Sequence, residues 1–230
     1  MTQLKKYAII VAGGSGSRMN GGIPKQFLPL AGLPILMHAL RCFHEADASI
    51  QLIVAIAENQ MESWKKSCDT HSFSIPHDLV AGGNTRFHSV KNGLNAVKEK
   101  SLVAVHDGAR PFASKRIINR CFLEAGKYGN AVPAISISES MRKTEGSRSE
   151  IVDRNKFVLI QTPQCFDSEI LIRAYRVDDQ PAFTDDASVV EHSGESVHLI
   201  EGERENIKIT YPLDLAIGEA ILEKYFQEKS

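Results

Sequence analysis

The chain has 230 residues, 43% hydrophobic and 24% charged, with a formal net charge of −1 and a pI near 6.7. That length holds one large α/β domain or two small ones, and the composition is globular. The balanced charge gives no reason to expect nucleic acid or an anionic membrane as partner. No apolar run approaches the ~18 residues of a membrane span, and a secretory leader is not expected.

Tyr7 to Val11 reads as a buried strand and runs into Ala12-Gly13-Gly14-Ser15-Gly16-Ser17-Arg18-Met19, followed by Pro24-Lys25-Gln26-Phe27. Glycines let backbone N–H groups approach a ligand closely, and successive N–H groups form an anion-binding concavity. Arg18 and Lys25 bring two positive charges to the same place. The combination describes a phosphate cradle with its own cations. A Walker loop is excluded, because Gly22 and Ile23 stand where Lys and Ser/Thr are needed after Gly16 and Gly21. A dinucleotide fingerprint is excluded, because Met19 stands where its third glycine belongs. The remaining pattern resembles the signature loop of nucleotidyltransferases.

Pro34 is placed to open a helix running to about Glu45, with Ile35, Leu36, Ala39, Leu40 and Phe43 on one face. Ile50 to Ala57 reads as a strand, and Glu58 to about Asp69 as a polar helix anchored by Met61 and Trp64. Leu79 to Ala81 is a short strand before Gly82-Gly83, followed by a helix through Val90, Leu94 and Val97. Leu102 to Val105 is a strand ending at His106-Asp107. Ser114 caps a helix to about Lys127, and Ala131 to Ile135 is a further strand. This alternation predicts an α/β fold with a doubly wound, mostly parallel sheet, Rossmann-like in its winding.

The rhythm breaks at about Ser136. Met141 to Thr144 and Glu150 to Arg154 flank the turn-forming stretch Gly146-Ser147-Arg148-Ser149. That predicts an inserted β-ribbon arm, about 137–158, with little core of its own; an isolated hairpin is marginal in water. The arm is therefore expected to pack on a second subunit, the alternative being a mobile surface excursion. After Gln164, a helix from Ser168 to Arg176 is expected, then another capped by Thr184. Ser196 to Ile200 and Ile207 to Thr210 are strand-like, and Pro212 opens a last amphipathic helix. With no linker or repeat, residues 1–230 read as one domain with an arm.

Three further constellations bear on chemistry. Gly82-Gly83-Asn84-Thr85-Arg86-Phe87-His88-Ser89 puts a second glycine pair at a strand end, where a flat base can lie against backbone and Arg86 and Ser89 are candidate donors. His106-Asp107-Gly108-Ala109-Arg110-Pro111 follows another strand, where Asp107 is a natural Mg²⁺ ligand beside a triphosphate. Lys208, in Arg204 to Thr210, is a third basic candidate. The four cysteines are widely separated with no C-x-x-C pair, which predicts reduced thiols in a cytoplasmic protein and no zinc site. A general acid–base pair is not evident. A phosphate monoester nucleophile needs none, being largely dianionic near pH 7.

In order along nearly the whole chain, VAGGSGSRM, PKQFLPL, GGNTRFHSV, HDGARPF, VDRN, QTPQCF, TDDAS and ENIKIT-YP-LDL resemble the 2-C-methyl-D-erythritol 4-phosphate cytidylyltransferase family. The resemblance implies CMP transfer from CTP to that polyol phosphate, a divalent cation such as Mg²⁺, and a homodimer with crossed β-arms. It implies that Ala12, Gly13, Gly14, Gly16 and Arg18 hold the triphosphate, and that Arg18, Lys25 and Lys208 stabilise the α-phosphate transition state. Gly82, Gly83, Asn84 and Ser89 would read cytosine and ribose. Asp107 and Arg110 would serve the metal and substrate region, and Thr162 and Thr184 the sugar phosphate. Arg154 and Ser140 would reach that phosphate from the other subunit. The family commonly has Asp at the position of Asn84, Ala at Gly108, Thr at Ser140 and a basic residue near Tyr211. Asn84 keeps an acceptor without the charge, and Ser140 keeps the hydroxyl. Two rival readings stand beside this one: a cytidylyltransferase for another polyol phosphate such as ribitol 5-phosphate, and a noncatalytic nucleotide-binding protein.

Overall fold

The computed structural model describes residues 4–13 and 24–227, the side chains of 225–227 excepted. β1 (Lys5–Val11) turns Tyr7 and Ile9 to one face and Ala8 and Ile10 to the other, and buries all four. A strand that is apolar on both faces must be covered on both. β4 (Gln51–Ile56) and β6 (Ser101–Asp107) flank it in parallel, and β5 (Asp78–Ala81) pairs in parallel beyond β4. Helices α1 (Ile35–Ala46), α2 (Met61–Thr70) and α4 (Lys115–Tyr128) cover the face of Ala8 and Ile10 through Leu36, Phe43, Trp64, Ile117 and Phe122. Helices α3 (Arg86–Leu94), α5 (Ser168–Ala174) and α6 (Asp186–His192) cover the face of Tyr7 and Ile9 through Phe87, Val90, Leu171 and Val190.

Among the described residues the sheet has eight strands, ordered β10 (Val158–Ile160), β7 (Asn130–Ser136), β11 (Gln164–Asp167), β6, β1, β4, β5, with β12 (Leu199–Glu201) parallel to β7. It is the doubly wound, mostly parallel sheet that the alternation predicts. Two strands run against the rest: β11, wedged between β6 and β7, and the edge strand β10. β11 has no counterpart among the expected elements. Its four residues are too few to show a period, and its polar Gln164 is fully buried.

Smaller boundaries also differ. Pro34 is the N-cap of α1 and pairs in a two-stranded turn, β2 (Pro29–Leu30) with β3 (Leu33–Pro34). Asp185, not Thr184, caps α6, because its carboxylate reaches Ser188 N–H at 2.9 Å and completes a capping box. Ile207 to Thr210 forms no strand; the backbone bond from Ile209 N–H to Ala109 O at 2.8 Å ties it beside the loop after β6. Ile209 is buried there while Lys208 stays 40% exposed on its side chain. Helix α7 (Pro212–Gln227) does open on Pro212.

The break in rhythm is a hairpin, β8 (Met141–Glu145) with β9 (Arg148–Val152), turning at Gly146, whose φ of +57° suits glycine. Residues 142–151 are all exposed, Ile151 among them at 79%.

Candidate active site

The C-terminal ends of β1, β5 and β6 open on one edge of the sheet, where ligands bind in such folds. A cavity of about 390 Å³ lies there, walled by Val11 to Gly13, Lys25 and Gln26, Gly83 to Arg86, Ser89, Asp107, Ala109 and Lys208. Ser89 organises its floor. Its hydroxyl accepts from Gly83 N–H at 3.0 Å and donates to Thr85 O at 3.0 Å. A Cβ on Gly83 would stand 2.2 Å from His88 Cβ, and one on Gly13 would meet Ser89 Oγ at 3.3 Å. Gly83 is therefore required by close approach, whereas a Cβ at Gly13 would make Ser89 Oγ give way by a few tenths of an ångström. Buried Gln26 donates to Ala12 O, tying the chain around Lys25 to the end of β1.

A second cavity of about 240 Å³ adjoins it, walled by Arg86, Asp107, Arg110, Ile160 to Thr162, Gln164, Thr184, Asp185 and Lys208. The two cavities share Arg86, Asp107 and Lys208. At this junction Asp107 Oδ2 faces Lys208 Nζ at 2.8 Å and Arg110 Nε at 3.7 Å, and Asp107 Oδ1 faces Arg86 Nε at 3.4 Å. Burial opposes ionisation of Asp107, but Arg86, then Lys208 and Arg110, hold its carboxyl well below the usual range. Arg86 also donates to the wholly buried Asp186 at 2.6 Å; burial works against its charge, and Asp186 and then Asp107 more than restore it.

Behind the junction runs a hydrogen-bond chain. Asp107 N–H donates to Thr162 Oγ1 at 3.1 Å, and the Thr162 hydroxyl is 3.1 Å from His106 Nδ1. His106 Nε2 is 2.9 Å from Arg110 O. One assignment satisfies all three contacts: a neutral ring protonated on Nε2, with the hydroxyl donating to Nδ1. Burial agrees, pushing the His106 pKa down to about 4. Arg110 Nη1 donates to Asn206 O, and Asn206 Nδ2 to Thr162 O, each at 2.8 Å.

Of the residues expected from sequence, Ala12, Gly13, Lys25, Gly83, Asn84, Ser89, Asp107 and Lys208 line the larger cavity, and Arg110, Thr162 and Thr184 the smaller. Gly82 stands behind the wall, its N–H bonded to Ile56 O at 2.7 Å. Gly14, Gly16 and Arg18 lie outside the described residues. Ser140 and Arg154 are exposed on the arm and line neither cavity; Arg154 donates to Ser138 O. Sequence reasoning passed over Gln26, Gln161, Asn206 and Asp186; the three amides donate to backbone carbonyls, and Asp186 is the buried partner of Arg86. Asn206 and Gln161 sit inside the quoted ENIKIT and QTPQ stretches, and a buried amide between functional neighbours is the signal that was available.

Asp107 is the one carboxylate among the described residues lining the larger cavity. Among the described residues, no cluster of three or more His, Cys, Asp or Glu could hold a metal ion. A cation here would take one protein oxygen and fill its shell from phosphate and water, which is the habit of Mg²⁺.

Two adjoining cavities at this sheet edge, sharing Arg86, Asp107 and Lys208 and bordered by Gly13 and Gly83, suit a nucleotidyltransferase. Residues 7–224 match the family model described as 2-C-methyl-D-erythritol 4-phosphate cytidylyltransferase. The relative of that name from Bacteroides thetaiotaomicron is 49% identical over 219 residues, 95% of this chain and 100% of its own length. That from Bacteroides fragilis is 50% identical, covering 94% and 99%. The crystal structure of the Thermus thermophilus enzyme superposes with a TM-score of 0.78 at 30% identity, over 96% of this chain and 100% of that one. The chain belongs to the 2-C-methyl-D-erythritol 4-phosphate cytidylyltransferase family.

Proposed function

We propose that the chain transfers CMP from CTP to 2-C-methyl-D-erythritol 4-phosphate, releasing pyrophosphate and forming 4-diphosphocytidyl-2-C-methyl-D-erythritol, an isoprenoid precursor. The observation that carries this reading is the seam at Lys208, Asp107 and Arg86, where two cavities of different character meet. The nucleotide occupies the larger cavity and the acceptor the smaller, so the α-phosphate lies at the seam. A phosphate oxygen of the acceptor attacks the α-phosphorus. One P–O bond forms as the bond to the bridging oxygen breaks, and pyrophosphate leaves with that electron pair.

The nucleophile is already dianionic, so no general base is required. His106 supports this: neutral, fully buried and bonded at both ring nitrogens, it has no proton traffic to perform. The protein's task is to align the reactants and supply positive charge as charge develops. Lys25 faces the triphosphate side, Lys208 the seam and Arg110 the acceptor side. Arg18 joins Lys25 by family resemblance. Asp107 is the residue that would hold a Mg²⁺ ion, and such an ion would add charge neutralisation.

The reading extends to a homodimer in which each hairpin crosses to its partner and brings Arg154 and Ser140 to the partner's acceptor cavity. Exposed Ile151, Phe157 and Leu159 on and beside the arm support it, because apolar groups so exposed favour burial in an interface. We take the enzyme to act in the cytoplasm, in keeping with its four free cysteines. No helix among the described residues is long and apolar enough to cross a membrane.

Pyrophosphate release, assayed with each nucleoside triphosphate against methylerythritol phosphate and ribitol 5-phosphate, tests the reading. CTP with methylerythritol phosphate is expected to turn over fastest. Faster turnover with ribitol 5-phosphate would reject the acceptor and leave the reaction class standing. Absence of release with every pair would leave a nucleotide-binding protein.

A further inference from the structure

We propose that Arg86 is a positioning residue that holds the nucleotide half of the site in register with the acceptor half, an inference that rests on the reaction proposed above. Arg86 opens α3, directly after the base-side loop. Its Nη2 donates to Asp186 Oδ2 at 2.6 Å, and its Nε lies 3.4 Å from Asp107 Oδ1. Asp186 opens α6, two residues beyond Thr184 on the acceptor wall, and its other oxygen accepts from Tyr175 Oη at 2.7 Å. One guanidinium thus joins α3, β6 and α6.

The local helix gives no reason for this residue. A cation in the first turn is opposed by the helix dipole. Asp186, wholly buried, needs a counter-charge, but a lysine could supply that alone. What the planar fork adds is a second carboxylate in fixed geometry. That second carboxylate is Asp107, which in turn holds Lys208 at 2.8 Å on the seam. Arg86 therefore acts through Asp107 on the position of Lys208, while its bond to Asp186 fixes the start of α6 beneath the acceptor.

Two variants separate this role from simple bracing. Arg86→Lys keeps a charge for Asp186 and loses the fork. Arg86→Gln combined with Asp186→Asn removes both charges, so that no isolated charge is left buried. Melting temperature, CTP affinity by calorimetry, and kcat and KM for both substrates are measured on each. Misplacing a reacting group by about 1 Å costs about a hundredfold in rate, so kcat should fall by that order while CTP affinity stays within about threefold of wild type. Unchanged kcat in a folded variant would overturn the proposal. A fall in CTP affinity as large as the fall in kcat would also overturn it, by making Arg86 a direct nucleotide ligand. If both variants fail to fold, Arg86 is a folding residue and the positioning role is wrong. An inactive wild type sinks the proposed reaction and this inference together, whereas an active wild type with unaffected variants sinks only the inference.

Discussion

Lys208 Nζ stands 2.8 Å from Asp107 Oδ2, on the wall that the larger and smaller cavities share. Asp107 is only 13% exposed on its side chain and Lys208 40%, so the carboxylate is fixed and the ammonium faces the open space. On the proposed reading, the pair keeps a cation waiting where two anionic substrates would approach each other. Phosphate oxygens arriving there meet a charge whose position is already set, which is how a site lowers the reorganisation cost of stabilising a transition state.

Lys25→Ala, Arg18→Ala and Lys208→Ala should each reduce kcat far more than they weaken CTP binding. A lost transition-state contact of roughly 3–4 kcal/mol corresponds to about 10²–10³ in rate. Steady-state kinetics with a direct binding titration checks this, and a variant with near-normal turnover has no such role.

His106→Ala should cost less in rate than loss of those cations but should alter stability against pH. Its pKa falls from 6.5 to about 4 on folding. A group neutral in the fold and charged in the unfolded chain contributes fully above pH 6.5. That contribution is lost as pH falls toward 4, roughly 3 kcal/mol in all. Denaturant unfolding of wild type and variant at steps from pH 7.5 to 4 should show wild type losing this increment and the variant lacking it. Parallel curves would contradict the buried neutral ring.

Asp47 gives a second acid-sensitive increment at lower pH. The hydrogen bond from Lys6, then those from Ser49, lower its pKa to about 2. Its contribution is present above about pH 4 and disappears as pH falls through 2. Lys6→Met, which removes the ammonium that also sits 5.5 Å over the Phe122 ring, should flatten the acid limb of the unfolding curve below pH 4. An acid limb identical to that of wild type would remove the pair from the account.

Crossed arms make a prediction that no single-site argument makes. Lys25→Ala and Arg154→Ala should each be nearly inactive as homodimers. A mixed dimer carries one site with both defects and one with neither. Random reassortment of an equal mixture gives about half mixed dimers, so activity should return to about a quarter of wild type. The subunits are exchanged through a dissociation step, and exchange is confirmed with distinguishable tags. Confirmed mixed dimers that stay inactive would show that Arg154 does not act in trans.

Features with a local physical requirement were legible along the chain. Gly83 stands out because His88 approaches there too closely for a Cβ. The strands β1, β4 and β6 declare themselves because burial on both faces demands unbroken apolar runs. The hairpin shows through its turn residues, and Lys25 and Asp107 through charge at strand ends and loops, whereas Lys208 stood out only through the family resemblance. What depends on partners distant in sequence was not legible. β11 is a strand only because β6 and β7 lie on either side of it. Asp185 rather than Thr184 caps α6 because its carboxylate meets both Ser188 N–H and the Gln164 amide, at 2.9 Å each. Thr162, a sugar-phosphate residue by the family resemblance, lines the smaller cavity, and only the fold shows its hydroxyl between Asp107 N–H and His106. The apolar parallel strands, the glycine loops and most of the charged inventory followed from the residues alone, because alternation, φ and charge are properties of short stretches. Which carboxylate faces which cation, Asp107 toward Lys208 and Asp186 toward Arg86, was decided only by the tertiary structure, since partners about a hundred residues apart meet only when the sheet brings their strand and helix ends together.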